Sequence, residues 1–184
     1  MSTKYKFWDQ DKLYFVTFAT VGWVDVFTRP IYRDILIDSL KYCQLNKGLE
    51  IYTYCIMSNH IHMIIGRHGK YNLEEILRDF KKFTSVKILK LITENSEESR
   101  KEWMLKIFSD AGRSNSNNRN YQFWQQQNHP IELSDNKMMD QKLEYIHNNP
   151  VQAGIVLSPE EYLFSSAKNY AGRPEVLMEV KFIE

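Results

Sequence analysis

The chain has 184 residues, 43% hydrophobic and 26% charged, an ordinary globular composition that allows one domain with a real core. Its net charge is +1, so any nucleic-acid contact must rest on local clusters, and its two cysteines exclude a disulfide framework. The opening MSTKYKFWDQDK lacks the apolar stretch of a signal peptide, and no apolar run nears the roughly 20 residues that cross a bilayer, so a soluble cytoplasmic protein is expected. Aromatics are high at 14%, which suits either a core or a surface on which bases stack.

Leu13–Thr20, LYFVTFAT, is rich in β-branched and aromatic residues and predicts a strand. A helix follows, with Pro30 in its first turn, Gly48 at its end, and Ile31, Ile35, Leu36, Leu40 and Cys43 as its buried stripe. Leu49–Met57 and His60–Gly66 predict a hairpin turned by Ser58 and Asn59. Asn72 and Glu75 form a capping-box pattern for a second helix from Leu73. Residues 93–120 are polar, and SDAGRSNSNNRN within them reads as a flexible loop. A fourth strand fits within Tyr121–Leu133. Ser134 caps a third helix that should end near Pro150, because the residue before a proline avoids helical geometry. Ser158, Pro159 and Glu161 open a last short helix, and residues after Gly172 read as a tail. This order predicts an α+β, ferredoxin-like antiparallel sheet with helices packed on one face. It forms a single domain over 1–172, with a C-terminal tail over 173–184.

Three local features carry chemistry. His60 and His62 leave the same face of their strand, because side chains alternate with period two. Two histidines and an oxygen ligand suit an open divalent site for Mg²⁺ or Mn²⁺; equally, the two can be surface histidines on an exposed strand. Tyr145 and Asn149 are four residues apart on one helix face. There a phenol can attack a phosphodiester and an amide oxygen can complete a metal site, or the two can serve as packing residue and helix cap. In the second helix, Arg78, Lys81, Lys82 and Ser85 oppose Leu73, Ile76, Phe80 and Phe83. That basic stripe fits a phosphate backbone, or simply water. Arg113, Arg119, Tyr121, Phe123 and Trp124 follow, a mixture that suits single-stranded bases or a core. His147 lies two residues from Tyr145 and is turned away by helical geometry.

Taken in order, MSNHIHMII, DFKKFTS, FWQQQNHPIEL, YIHNNPVQAGIV and PEEYLFSSAKNY resemble the REP-associated tyrosine transposase branch of the HUH single-strand DNA transposases. The resemblance spans about residues 10–172. H-x-H is unspecific, whereas the YIHNNPVQAG block and the order of the set are specific. It implies binding of single-stranded or hairpin DNA, and cleavage and rejoining through a 5′-phosphotyrosine. By position, His60 and His62 match the metal histidines, Tyr145 the nucleophile, Asn149 the third ligand, and Lys81 and Lys82 the basic helix. Many relatives carry an aromatic pair and then an arginine after F-W-Q, where this chain has QQNHPIEL. The expected DNA contacts are Arg78, Lys81, Lys82, Arg113, Arg119, Trp124 and His129. Relatives occur as monomers and homodimers. A domesticated, non-cutting hairpin-DNA-binding regulator is the alternative, and one with less reason to keep His60, His62 and Tyr145 together.

Overall fold

The structure, a computed structural model, describes residues 7–115, 120–126 and 129–183. Its elements are β1 (Tyr14–Ala19), α1 (Pro30–Lys47), β2 (Leu49–Ile56), β3 (His60–Arg67), α2 (Leu73–Glu94), α3 (Lys101–Arg113), β4 (Ile131–Glu132), α4 (Asn136–Gln152) and α5 (Ala167–Tyr170). The sheet order is β2-β3-β1-β4 with antiparallel neighbours, the split arrangement that the sequence predicts.

Strand alternation divides the protein into two layers. Tyr14, Val16 and Phe18 of β1 and Ile61, Met63 and Ile65 of β3 join the main core beneath α1 and α2. Each such buried apolar side chain contributes roughly 1.5–3 kcal/mol. Phe15 and Ile64 point the other way, into a smaller cluster with Cys55, Met57, Leu133, Ile146 and Tyr162. Ile146 belongs to α4, so helices cover both faces rather than one: α1 and α2 on the first, α4 on the second. The α+β class and the antiparallel sheet stand, and the added layer lies over the histidines.

Several boundaries differ from the sequence reading. Ile31 is 46% exposed and Tyr32 is buried in its place, while Phe83, read on the apolar side of the second helix, is also exposed. Residues 101–113 form α3, which takes in the first five residues of the segment read as a loop and buries Met104, Phe108 and Gly112. Gly112 is required there, since a Cβ would come within 2.6 Å of the Tyr121 amide nitrogen. The fourth strand shrinks to Ile131–Glu132, supplemented by a single bridge from Thr20 to Trp124. Asp135, not Ser134, caps α4, its carboxylate accepting from the Met138 amide at 2.8 Å.

Pro150 lies inside α4, which runs on to Gln152. It sits in the last turn, where its missing N–H removes one ladder bond at a point where the helix is ending anyway. Asn149 is therefore helical. The 158–161 cap pattern opens a 3₁₀ turn at Pro159–Glu161. Beyond Gly172 the chain packs back: Met178 is buried in the main core, and the Lys181 amide donates to Ile51 at 2.9 Å. With Phe164, whose carbonyl accepts from Ile56, that contact covers the outer edge of β2.

Candidate active site

The site is built on β1, β3 and α4. The register sets Thr17 opposite His62 and Ala19 opposite His60. Both histidines face α4, as period-two alternation requires. Their ring centroids are 4.6 Å apart, and His62 lies 5.2 Å from the ring of Tyr145. Tyr145 is 40% exposed, so its phenol is open to a substrate.

The outer hydrogen bonds orient both imidazoles. His60 Nδ1 is 2.6 Å from Asn59 Oδ1, an atom that can only accept, so the proton lies on Nδ1 and Nε2 keeps its lone pair. His62 Nδ1 is 2.8 Å from the Thr17 hydroxyl. If that nitrogen donates, His62 also keeps Nε2 for a ligand. The Asn149 side chain lies beside His60 and favours its protonated form, so the residue expected as third ligand is next to the pair. This donor set fits a divalent ion held by two imidazoles and an amide. Among the described residues no three His, Cys, Asp or Glu side chains converge on a metal position.

Burial favours the neutral rings that metal binding needs. It lowers the His60 pKa, with the Asn149 hydrogen bond pulling the other way. His62 falls to about 3, through burial first and then the nearby charges of His60 and Lys142. Phe15 stacks on His62 at 5.6 Å and meets Tyr145 edge-on at 6.1 Å. The Lys142 ammonium stands 4.7 Å from the Phe15 ring centre and 5.6 Å from that of Tyr145. His147 points elsewhere, its Nε2 2.8 Å from the Ser166 hydroxyl.

The expected DNA contacts divide. Arg78, Lys81 and Lys82 line a groove between α2 and the segment Tyr121–Gln126. Lys81 reaches under that segment, 3.4 Å from the Gln125 carbonyl, and burial pulls its pKa down to about 8. Arg113 is exposed at the end of α3, and His129 is exposed beyond the groove. Arg119 lies outside the described residues. Trp124 is a correction: it is 5% exposed, its indole nitrogen donates to Thr84 at 3.1 Å, and it packs on Phe18, Phe27, Phe80 and Phe123. It therefore offers no face to a base.

The groove and the histidines flank one strand. The Gln125 amide donates to the Ala19 carbonyl at 2.8 Å, and Ala19 pairs with His60 on its other side. Two interstrand steps, about 10 Å, separate the Gln125 backbone from that of His60, while the α2 side chains of the groove and the histidine side chains lie on opposite faces of the sheet.

Sequence reasoning missed Phe15, Thr17, Trp23, Asn59 and Lys142. Lys142 was within reach as the i−3 neighbour of Tyr145. Thr17 depends on register, which no local pattern reveals.

Residues 13–111, more than half of the chain, match the model of the IS200-like transposases. The chain belongs to this family. The matched span holds β1, both histidines, α2 and most of α3, and stops short of Tyr145. Among solved structures, that of a REP-associated tyrosine transposase bound to a REP hairpin aligns with a TM-score of 0.66 at 16% identity, covering 100% of this chain and 92% of that one. At that identity the likeness is one of fold. A candidate transposase from Deinococcus radiodurans R1 aligns more loosely, with a TM-score of 0.44 at 16% identity over 80% of this chain and 97% of that one. No curated protein matches. No helix among the described residues is long and apolar enough to cross a membrane.

Proposed function

We propose that this IS200-like transposase belongs to the REP-associated tyrosine branch and acts in the cytoplasm on chromosomal DNA. It binds a hairpin and cuts and rejoins the adjoining single strand through Tyr145. The observation that carries this reading is the exposed Tyr145 ring 5.2 Å from His62, on the face where Asn149 meets His60. The hairpin in the structurally similar transposase supports the choice of DNA.

In the forward step the Tyr145 oxygen attacks phosphorus. A tyrosine O–P bond forms and the P–O3′ bond breaks. The phenolic proton is lost to solvent, and the departing 3′ oxygen takes one up. The 5′-phosphotyrosine keeps the diester bond energy, so a 3′-hydroxyl can reverse the step and join strands. His60, His62 and Asn149 would hold Mg²⁺ or Mn²⁺, whose charge would polarise the scissile phosphate. Lys142 adds positive charge beside the phenol, and the groove of Arg78, Lys81 and Lys82 holds the duplex part.

The test is a denaturing-gel assay with hairpin-bearing single strands drawn from DNA flanking the gene. Wild-type protein should form a covalent adduct in Mn²⁺ or Mg²⁺, and none in EDTA or with His60→Ala. An adduct that persists in His60→Ala at the wild-type rate contradicts the metal assignment. Hairpin binding with no adduct in any metal would favour the regulator instead.

A further inference from the structure

Trp23 stands in the same line of rings as the catalytic groups, and the function above leaves it without a role. It meets His60 edge-on at 5.8 Å, on the side of the histidine pair away from Tyr145. It is 56% exposed, unlike the buried Trp124. Its backbone has φ 54°, and Gly22 before it has φ 64°. Glycine adopts the left-handed region freely; tryptophan does so at a cost, and such outliers collect at functional sites.

Hydrogen bonds hold the residue in this posture. Its amide donates to Thr20 at 3.1 Å, and its carbonyl accepts from Asn59 Nδ2 at 3.2 Å. The same Asn59 holds His60 through Oδ1 at 2.6 Å. One side chain thus ties the Trp23 backbone and the His60 imidazole together. An apolar side chain displayed to water, on strained backbone, and tied to the metal ligand makes little sense for folding. Burial does not repay it, and a smaller residue would suit the turn better.

We propose that Trp23 is a stacking platform for the nucleobase flanking the scissile phosphate. The substrate class is single-stranded DNA, whose unpaired bases offer the faces that an indole stacks on. A phosphate bound between His60 and Tyr145 brings its neighbouring nucleotide to the Trp23 end of the ring line. Stacking there sets which phosphate enters the site, and every base has a π-face, so the contact fixes position more than sequence. The proposal rests on the cutting function above only for the identity of that phosphate.

The test measures binding in EDTA, where no cutting occurs, to a hairpin-bearing strand. A set of strands carries one abasic position at each nucleotide around the cut. Trp23→Ala should weaken binding by about 5- to 150-fold, the worth of one stacked base. One abasic position beside the cut should weaken wild-type binding to the same degree, and should cost Trp23→Ala no further affinity. Trp23→Phe should recover most of the loss. Trp23→Gly relieves the left-handed backbone, so it should melt no lower than wild type yet bind as weakly as Trp23→Ala. Equal binding by wild type and Trp23→Ala overturns the proposal, as does an abasic penalty that is the same in both. Wild-type protein that binds and stacks but forms no adduct in metal would leave Trp23 standing and remove Tyr145. Wild-type protein that binds no hairpin strand overturns both.

Discussion

The two faces of the sheet use the same strands for opposite ends. Toward α1 and α2, β1 and β3 send only apolar or aromatic side chains into a continuous core. Toward α4 they send Phe15, Thr17, His60, His62 and Ile64, and two of these are imidazoles kept largely from water. The first face supplies stability. The second carries buried polar groups, met by Thr17, Asn59 and Asn149, and neutral, oriented imidazoles are what the proposed divalent site would require. Alternation along a single strand keeps the two tasks one residue apart.

That division can be broken at neighbouring residues of β3. Ile61→Ala opens a cavity in the main core and should cost about 2–5 kcal/mol in urea unfolding. His62→Ala, next to it on the other face, should cost about 1 kcal/mol, the worth of one hydrogen bond, while abolishing metal-dependent adduct formation. Equal stability losses would show that the faces are not specialised as described.

A charge on the packed side sharpens the contrast. Glu98 is 3% exposed and accepts from the Tyr32 hydroxyl at 3.0 Å and from Arg100, with Arg29 at 2.8 Å. Burial alone would raise its pKa, but the hydrogen bonds from Arg100 and Tyr32 outweigh that and hold it at about 2. A lowered folded pKa means that this stabilisation is full above the ordinary value of 4.5 and is lost as pH falls toward about 2. Glu98→Gln should cost about 2 kcal/mol at neutral pH, less than a fully buried pair because Arg29 is partly solvated. It should also flatten the fall in unfolding midpoint between about pH 5 and about pH 3. A wild-type acid slope in the variant would contradict the pairing.

The smallest effect is expected at the edge where the two faces meet. Lys82→Ala in the groove should lower the salt slope of hairpin binding by about one, whereas Lys41→Ala on α1 should leave it unchanged. Similar slopes for both variants would place the DNA elsewhere.

The elements that local pattern fixes were legible in the sequence. β-branched runs gave β1 and the hairpin, the Asn72 and Glu75 box started α2, and alternation put both histidines on one face. What escaped depends on contacts far apart in the chain. α3 was hidden by polar composition, although Met104 and Phe108 stand four apart on one face, a spacing that marked it. Trp124 is buried and Trp23 is displayed because exposure is decided by tertiary packing and not by local sequence. Pro150 misled because its rule concerns the preceding residue on average, whereas packing over β2 and β3 holds α4 helical for another turn. Lys142 and Asn149 reach the site only once α4 is laid across the sheet.

The central claim is that the exposed phenol over the histidine pair is the nucleophile. The direct measurement is digestion of the protein–DNA adduct formed in Mn²⁺, with mass spectrometry of the linked peptide, alongside the Tyr145→Phe variant. The account predicts a nucleotide-bearing peptide containing Tyr145, and no adduct from Tyr145→Phe although the variant folds and binds the hairpin as wild type does. An adduct formed by Tyr145→Phe, or a nucleotide found on any other residue, would contradict it.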